Sequence, residues 1–186
     1  IVIISLDTIA YGGLISSRRS NDSFEKIKQR IDNLSSILKK LNAKVYAFSS
    51  IMRISNNNIN EEEKEYWNLY GTKIFEYSYN LHKSEVENKT FNSEYNIPEY
   101  ILNDYLRTRE RNFKINKYYI ELKKEGLFDT LVFSKDDCAK YGFNVKEAEL
   151  LQTYTKEEKN IFIKTGADEI PLTLLSRAIN SEKHIK

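Results

Sequence analysis

Four short apolar runs constrain this chain more than any other feature: IVII at 1–4, KVYAF at 44–48, FDTLVF at 128–133 and NIFIK at 160–164. None alternates apolar with polar residues, which is the pattern of strands covered on both faces, as in parallel sheets. Between the first two, Phe24, Ile27, Ile31, Leu34, Leu38 and Leu41 recur at spacings of three and four, so a helix is expected. Asp22 and Glu25 precede it at the spacing of a capping box. Strand, helix and strand alternate again around 145–158, and a last helix is expected from about 170. The order predicts an α/β fold: a mainly parallel sheet of about four strands flanked by helices, with right-handed crossovers. A segment of a larger (β/α) barrel is the alternative.

The connection from 49 to 127 is too long for one crossover and carries two helical patterns, an excursion over about 55–126 expected to lie over the C-terminal edge of the sheet. The first pattern runs Trp67, Tyr70, Ile74, Tyr77, Leu81 behind the acidic run EEEKE, which suits a helix N-terminus. The second starts near Pro98 and stops at Gly126; Thr108 and Asn112 interrupt its apolar stripe, so something polar is expected opposite. One α/β domain over 1–186 accommodates all of this. Ile1 already stands inside the first strand, which reads as a piece of a longer chain whose remaining parts are partners of this one. A leader would lie outside such a piece, so its absence carries no weight, and the location is unknown, cytoplasmic only by default.

Composition narrows the chemistry. One cysteine, Cys138, excludes a disulfide framework and multi-cysteine zinc sites, and only two histidines, His82 and His184, are present. His82, late in a helix, reads as a surface group or a partner of the C-terminal dipole. Net charge is +2 and no run is long enough to span a bilayer, so neither nucleic acid nor membrane is an expected partner.

Polar residues follow every strand. Asp7 and Tyr11-Gly12-Gly13, then Arg18 and Arg19, follow the first; Ser49, Ser50 and Arg53 the second; SKDD, 134–137, the third; TGADE, 165–169, the fourth. Strand ends in parallel sheets share one edge, where loops are free to carry binding groups. Asp7, Asp136, Asp137, Asp168 and Glu169 are therefore the candidate catalytic carboxylates, with neighbouring acids in extended chain pointing to opposite sides. Gathered carboxylates raise one another's pKa unless a cation or shared proton intervenes, which suits a general acid and base pair or a divalent cation such as Mg2+. Tyr11, Gly12, Gly13, Arg18, Arg53, Arg107, Arg109 and Asn112 are the candidate substrate-binding residues. Plainer roles stand beside these: Asp168 as an N-cap, Gly12-Gly13 as a simple turn, RTRERN as a solvated helix face, Cys138 as a packing residue.

The stretches SLDTIAYGGLISSR, YAFSSIMR, EYWNLYG, YLRTRERNFKIN, LVFSKDDCAKYG and KTGADE, spread in order over nearly the whole chain, resemble a bacterial family catalogued as domain of unknown function 4127. The resemblance implies no reaction and carries over no site residues. From the residues alone, carboxylates without a Ser-His-Asp or Cys-His set point to a hydrolase acting on a small, hydroxyl-rich substrate such as a carbohydrate. A non-catalytic module for an anionic small molecule, or a structural part of a larger enzyme, are the alternatives.

Overall fold

A computed structural model describes residues 1–91, 94–136, 139–166 and 168–183. Four parallel strands, β1 (Val2–Ser5), β2 (Val45–Ser50), β3 (Thr130–Lys135) and β4 (Ile161–Thr165), pair in the order β1, β2, β3, β4. Ile3 stands opposite Tyr46, Phe48 opposite Val132, and Val132 opposite Phe162, so side chains of one parity line up across the sheet.

Val45, Ala47, Leu131 and Phe133 enter a core with α3 (Phe24–Leu38), α5 (Glu99–Lys124) and α6 (Phe143–Tyr154), the helices that connect successive strands. Crossovers of one hand that advance in one direction deposit their helices on one face. Tyr46 and Val132 point the other way and pack with Ile170, Leu174 and Ala178 of α7 (Ile170–Lys183). The unalternating strand runs thus have apolar partners on both sides. A strand order of this kind is common to an open sheet and to the wall of a (β/α) barrel.

Two helix limits differ from expectation. Ser23, not Asp22, caps α3: its Oγ accepts from the Lys26 N–H, while the Asp22 carboxylate takes Lys26 and Arg30. The helix ends at Leu38, leaving Leu41 outside and half-exposed. At the start of the chain, residues read as a glycine loop form two single-turn helices, α1 (Leu6–Tyr11) and α2 (Leu14–Arg19). Six residues give too little periodicity to announce a helix.

The excursion also divides differently. Helix α5, 26 residues long, rises about 39 Å, whereas a six-residue strand spans about 20 Å. Its second half, with Ile115, Tyr119 and Leu122, is the crossover packed on the sheet. Its first half overshoots the strand ends, where Ile101 and Tyr105 pack with Met52, Phe143, and Trp67 and Ile74 of α4 (Trp67–Glu87). A second apolar cluster therefore stands above the C-terminal edge and walls it. Gly71 allows this: a Cβ there would meet Asn57 O at 2.2 Å, so the 54–60 loop rests directly on the α4 backbone.

Candidate functional site

The exits of β1, β2 and β3 are stitched by a polar seam. Ser5 caps α1, its Oγ accepting from the Thr8 N–H at 3.4 Å, and this sets Asp7 in the first turn. The Asp7 carboxylate reaches sideways to β2, accepting from Ser49 Oγ at 3.0 Å and from the Ser50 N–H at 2.8 Å. Asn116 of α5 closes the group from behind, its Oδ1 lying 3.1 Å from Ser49 Oγ, and the Ser50 and Ser134 hydroxyls meet at 2.8 Å. Asp7 is buried, and desolvation pushes its carboxyl up to about 6 against the hydrogen bonds from Ser49 and Ser50. Tyr11 is buried nearby; burial first, and then the Asp7 charge, hold its hydroxyl protonated far above the usual range.

Gly12 and Gly13 do not form an anion cradle. Gly12, at φ 90°, is the left-handed cap of α1 and donates its N–H to Thr8 O at 3.0 Å; the Gly13 N–H goes to Asp7 O at 3.2 Å. Both amides are committed to closing the turn.

Arg18 and Arg53 meet a pair of glutamates. Arg18 is buried and donates to Glu63 Oε1 at 2.7 Å, with Glu62 Oε2 farther off at 3.4 Å. Arg53 binds Glu62 at 2.5 Å and lies 4.0 Å from Asp136. Glu63 is itself buried, and desolvation raises its carboxyl while Arg18 lowers it. Arg19 fixes the loop that carries these acids, donating to the carbonyls of Asn60, Glu61 and Glu63. Glu62 and Glu63 escaped the sequence reading because EEEKE was assigned to the N-terminus of α4. The signal that points to them is Arg18 in the segment after the first strand, since a buried guanidinium requires a counter-charge.

Above this edge lie two adjoining cavities of about 680 and 500 Å³, which share Arg53, Asp136 and Asp168. The larger continues over Asn56, Asn57, Phe75, Gly166 and Glu169; the smaller over Gly12 to Ser16, Arg18 and Glu62. Segments that follow all four strands thus border this cleft of two adjoining cavities, each of small-ligand size. Asp7 lines neither cavity; it lies under the seam. Asp168 and Glu169 are exposed. Asp137, Cys138 and His184 lie outside the described residues. Among the described residues no group of three or more His, Cys, Asp or Glu side chains is close enough together to hold a metal ion.

The model of the family described as protein of unknown function (DUF4127) matches residues 1–186. The chain belongs to that family. Comparison with curated proteins and with solved structures gives no match.

In this DUF4127 chain, helix α5 serves the cleft from behind. Arg109, buried, forms a double contact with Glu147 of α6 at 2.8 and 2.7 Å and donates to Met52 O, Arg53 O and the Tyr105 hydroxyl. The clamp holds the backbone that presents Arg53, while burial raises the Glu147 carboxyl and Arg109 draws it back. Asn112 donates to Ser17 O at 3.0 Å, and Arg111 to the carbonyls of Ser17, Ser20 and Asp22. Of the polar break in the α5 stripe, Asn112 thus meets the end of α2, whereas the Thr108 hydroxyl lies 3.2 Å from Lys64 Nζ. Arg107 is exposed and borders two other grooves, lining neither of the adjoining cavities. His82 is buried, contrary to its reading as a surface group: Nδ1 accepts from the Gly142 N–H at 3.1 Å, and Ser78 accepts from the Phe143 N–H, so α4 caps α6.

Proposed function

We propose that the cleft is the site of a hydrolase for a small, hydroxyl-rich molecule such as a carbohydrate, with Asp136 acting alongside Asp168 or Glu169 as general acid and base. The supporting observation is the sharing of Arg53, Asp136 and Asp168 by two ligand-sized cavities at the edge where parallel sheets collect binding groups. Carboxylates accept hydroxyl hydrogen bonds in pairs, and Asn56 on the wall adds an amide that both donates and accepts. Phe75 offers an apolar face for a ring. Acids outnumber arginines on the wall, with Glu62, Asp136, Asp168 and Glu169 against Arg18 and Arg53, so a free anion meets net repulsion. That count places the anion-binding module second. Asp7 acts in this reading as a positioning group that fixes the β2 exit from which Arg53 departs.

Thermal shift with neutral sugars, inorganic phosphate and MgCl2 tests this, because a ligand of the folded state raises its melting temperature. Sugars are expected to stabilise the chain, and Asp136→Asn and Asp168→Asn to keep the unliganded melting temperature while losing the shift. Stabilisation by phosphate alone, abolished by Arg53→Gln and untouched by Asp136→Asn, overturns the proposal in favour of the anion module. An Mg2+ shift that disappears in Asp136→Asn reassigns the carboxylates to a cation.

A further inference from the structure

We infer that Glu62 is a built-in stand-in for a carboxylate of the ligand, so that the cleft takes a sugar acid whose carboxylate displaces Glu62 from Arg53 and Arg18 while its hydroxylated part lies against Asp136 and Asp168. This rests on the proposed hydroxyl-rich substrate and adds which member of that class fits.

The two glutamates beside Arg18 are held unequally. Glu63 is 4% exposed, sits 2.7 Å from the Arg18 guanidinium, and is carried on backbone that Arg19 ties down. Glu62 is 42% exposed, lies 3.4 Å from Arg18, and has its close contact with Arg53, which is 35% exposed. Swinging Glu62 outward leaves buried Arg18 still paired with Glu63, so exchange strands no buried charge. Glu62 lines the smaller cavity with both arginines.

The arginines are also incompletely satisfied, Arg53 Nε standing 3.8 Å from Glu63 Oε1. Arg18 Nε and Arg53 Nε are enclosed and have no acceptor among the described residues. A guanidinium binds a carboxylate best through two parallel N–H donors, a geometry that a glutamate tethered to the 51–66 loop does not supply to both arginines at once. A free carboxylate is not so tethered. Displaced Glu62, already 42% exposed, turns into solvent where its charge is screened, so the ligand carboxylate takes its place against the arginines and does not face it across the wall. Inorganic phosphate adds charge and gains nothing from the hydroxyl-binding half, so it does not compete.

The test compares galactose with galacturonate by calorimetry on the full chain, its Glu62→Gln variant and its Arg53→Gln variant, each first shown to melt cooperatively. Galacturonate is expected to bind about tenfold or more tightly than galactose, the scale of a charge-assisted hydrogen-bond pair. Glu62→Gln removes the competitor, so it tightens galacturonate several-fold and widens its margin over galactose. Arg53→Gln brings galacturonate down to the level of galactose. Equal binding of the two sugars overturns the inference and leaves the proposed function standing, as does weakening of galacturonate in Glu62→Gln, which makes Glu62 part of the wall. Inorganic phosphate binding as tightly as galacturonate overturns the sugar-acid assignment. No binding of either sugar to any of the three proteins overturns the inference together with the proposed function.

Discussion

Replacing Asp7 by asparagine should stabilise this protein at neutral pH. The folded-state carboxyl sits at about 6 against an ordinary value of 3.8, because burial outweighs the hydrogen bonds from Ser49 and Ser50. Between those values the folded state holds a proton that the unfolded state has released, so stability is lost as pH rises through the window. A shift of that size corresponds to about 3 kcal/mol, fully present as a cost above the folded-state value. Asparagine has nearly the same shape and no charge to desolvate. Its carbonyl oxygen accepts from the Ser50 N–H, its amide donates to Ser49 Oγ, and the Ser49 hydroxyl proton is left for Asn116 Oδ1. Urea unfolding of both proteins at a series of pH values between about 4 and 7.5 reads the difference. Glu63 and Glu147, whose carboxyls are also raised, titrate in both proteins and cancel. The expected result is a variant less stable than or equal to the parent near pH 4 and more stable by about 1–3 kcal/mol at pH 7. A variant less stable at pH 7, with a pH profile parallel to the parent's, refutes the reasoning and makes the ionised carboxylate a net stabiliser of the seam.

Two further outcomes follow from packing. Truncating Glu147 to alanine leaves Arg109 buried with Tyr105 and main-chain carbonyls for company, and should cost about 3–5 kcal/mol in chemical denaturation; a loss under about 1 kcal/mol means that the carbonyls of Met52 and Arg53 suffice. Gly71→Ala should lower stability by about 1–3 kcal/mol although alanine favours helix, since the new Cβ meets Asn57 O at 2.2 Å; a gain in melting temperature shows that the 54–60 loop yields without cost.

The strands and their direction were legible because a buried parallel strand writes itself as a continuous apolar run, and because one-handed crossovers leave few topologies to consider. Side-chain burial on the helices was legible only where the buried face is apolar. On α4 the apolar residues Trp67, Tyr70, Ile74, Tyr77 and Leu81 drew the eye, yet the line that is buried is Trp67, Gly71, Ile74, Ser78 and His82. Three of these five residues have no apolar side chain, because α4 must admit the Asn57 backbone at Gly71 and supply acceptors to the open N-terminus of α6 at Ser78 and His82. Periodicity registers hydrophobicity, not the need of another segment for a hydrogen-bond acceptor. The same limit hid Glu62 and Glu63: a run of three acids before a helix has a sufficient local explanation in the helix dipole, and local sufficiency masks a long-range role. Arg18 lies 44 and 45 residues earlier, and only the fold brings it to them. In α5, by contrast, polar residues interrupt a stripe that is otherwise apolar, and such a break has no local explanation. There the sequence does say that a polar partner must stand opposite, and Lys64 Nζ and Ser17 O stand opposite Thr108 and Asn112. A polar residue is therefore most informative about tertiary structure where local propensity gives it nothing to do.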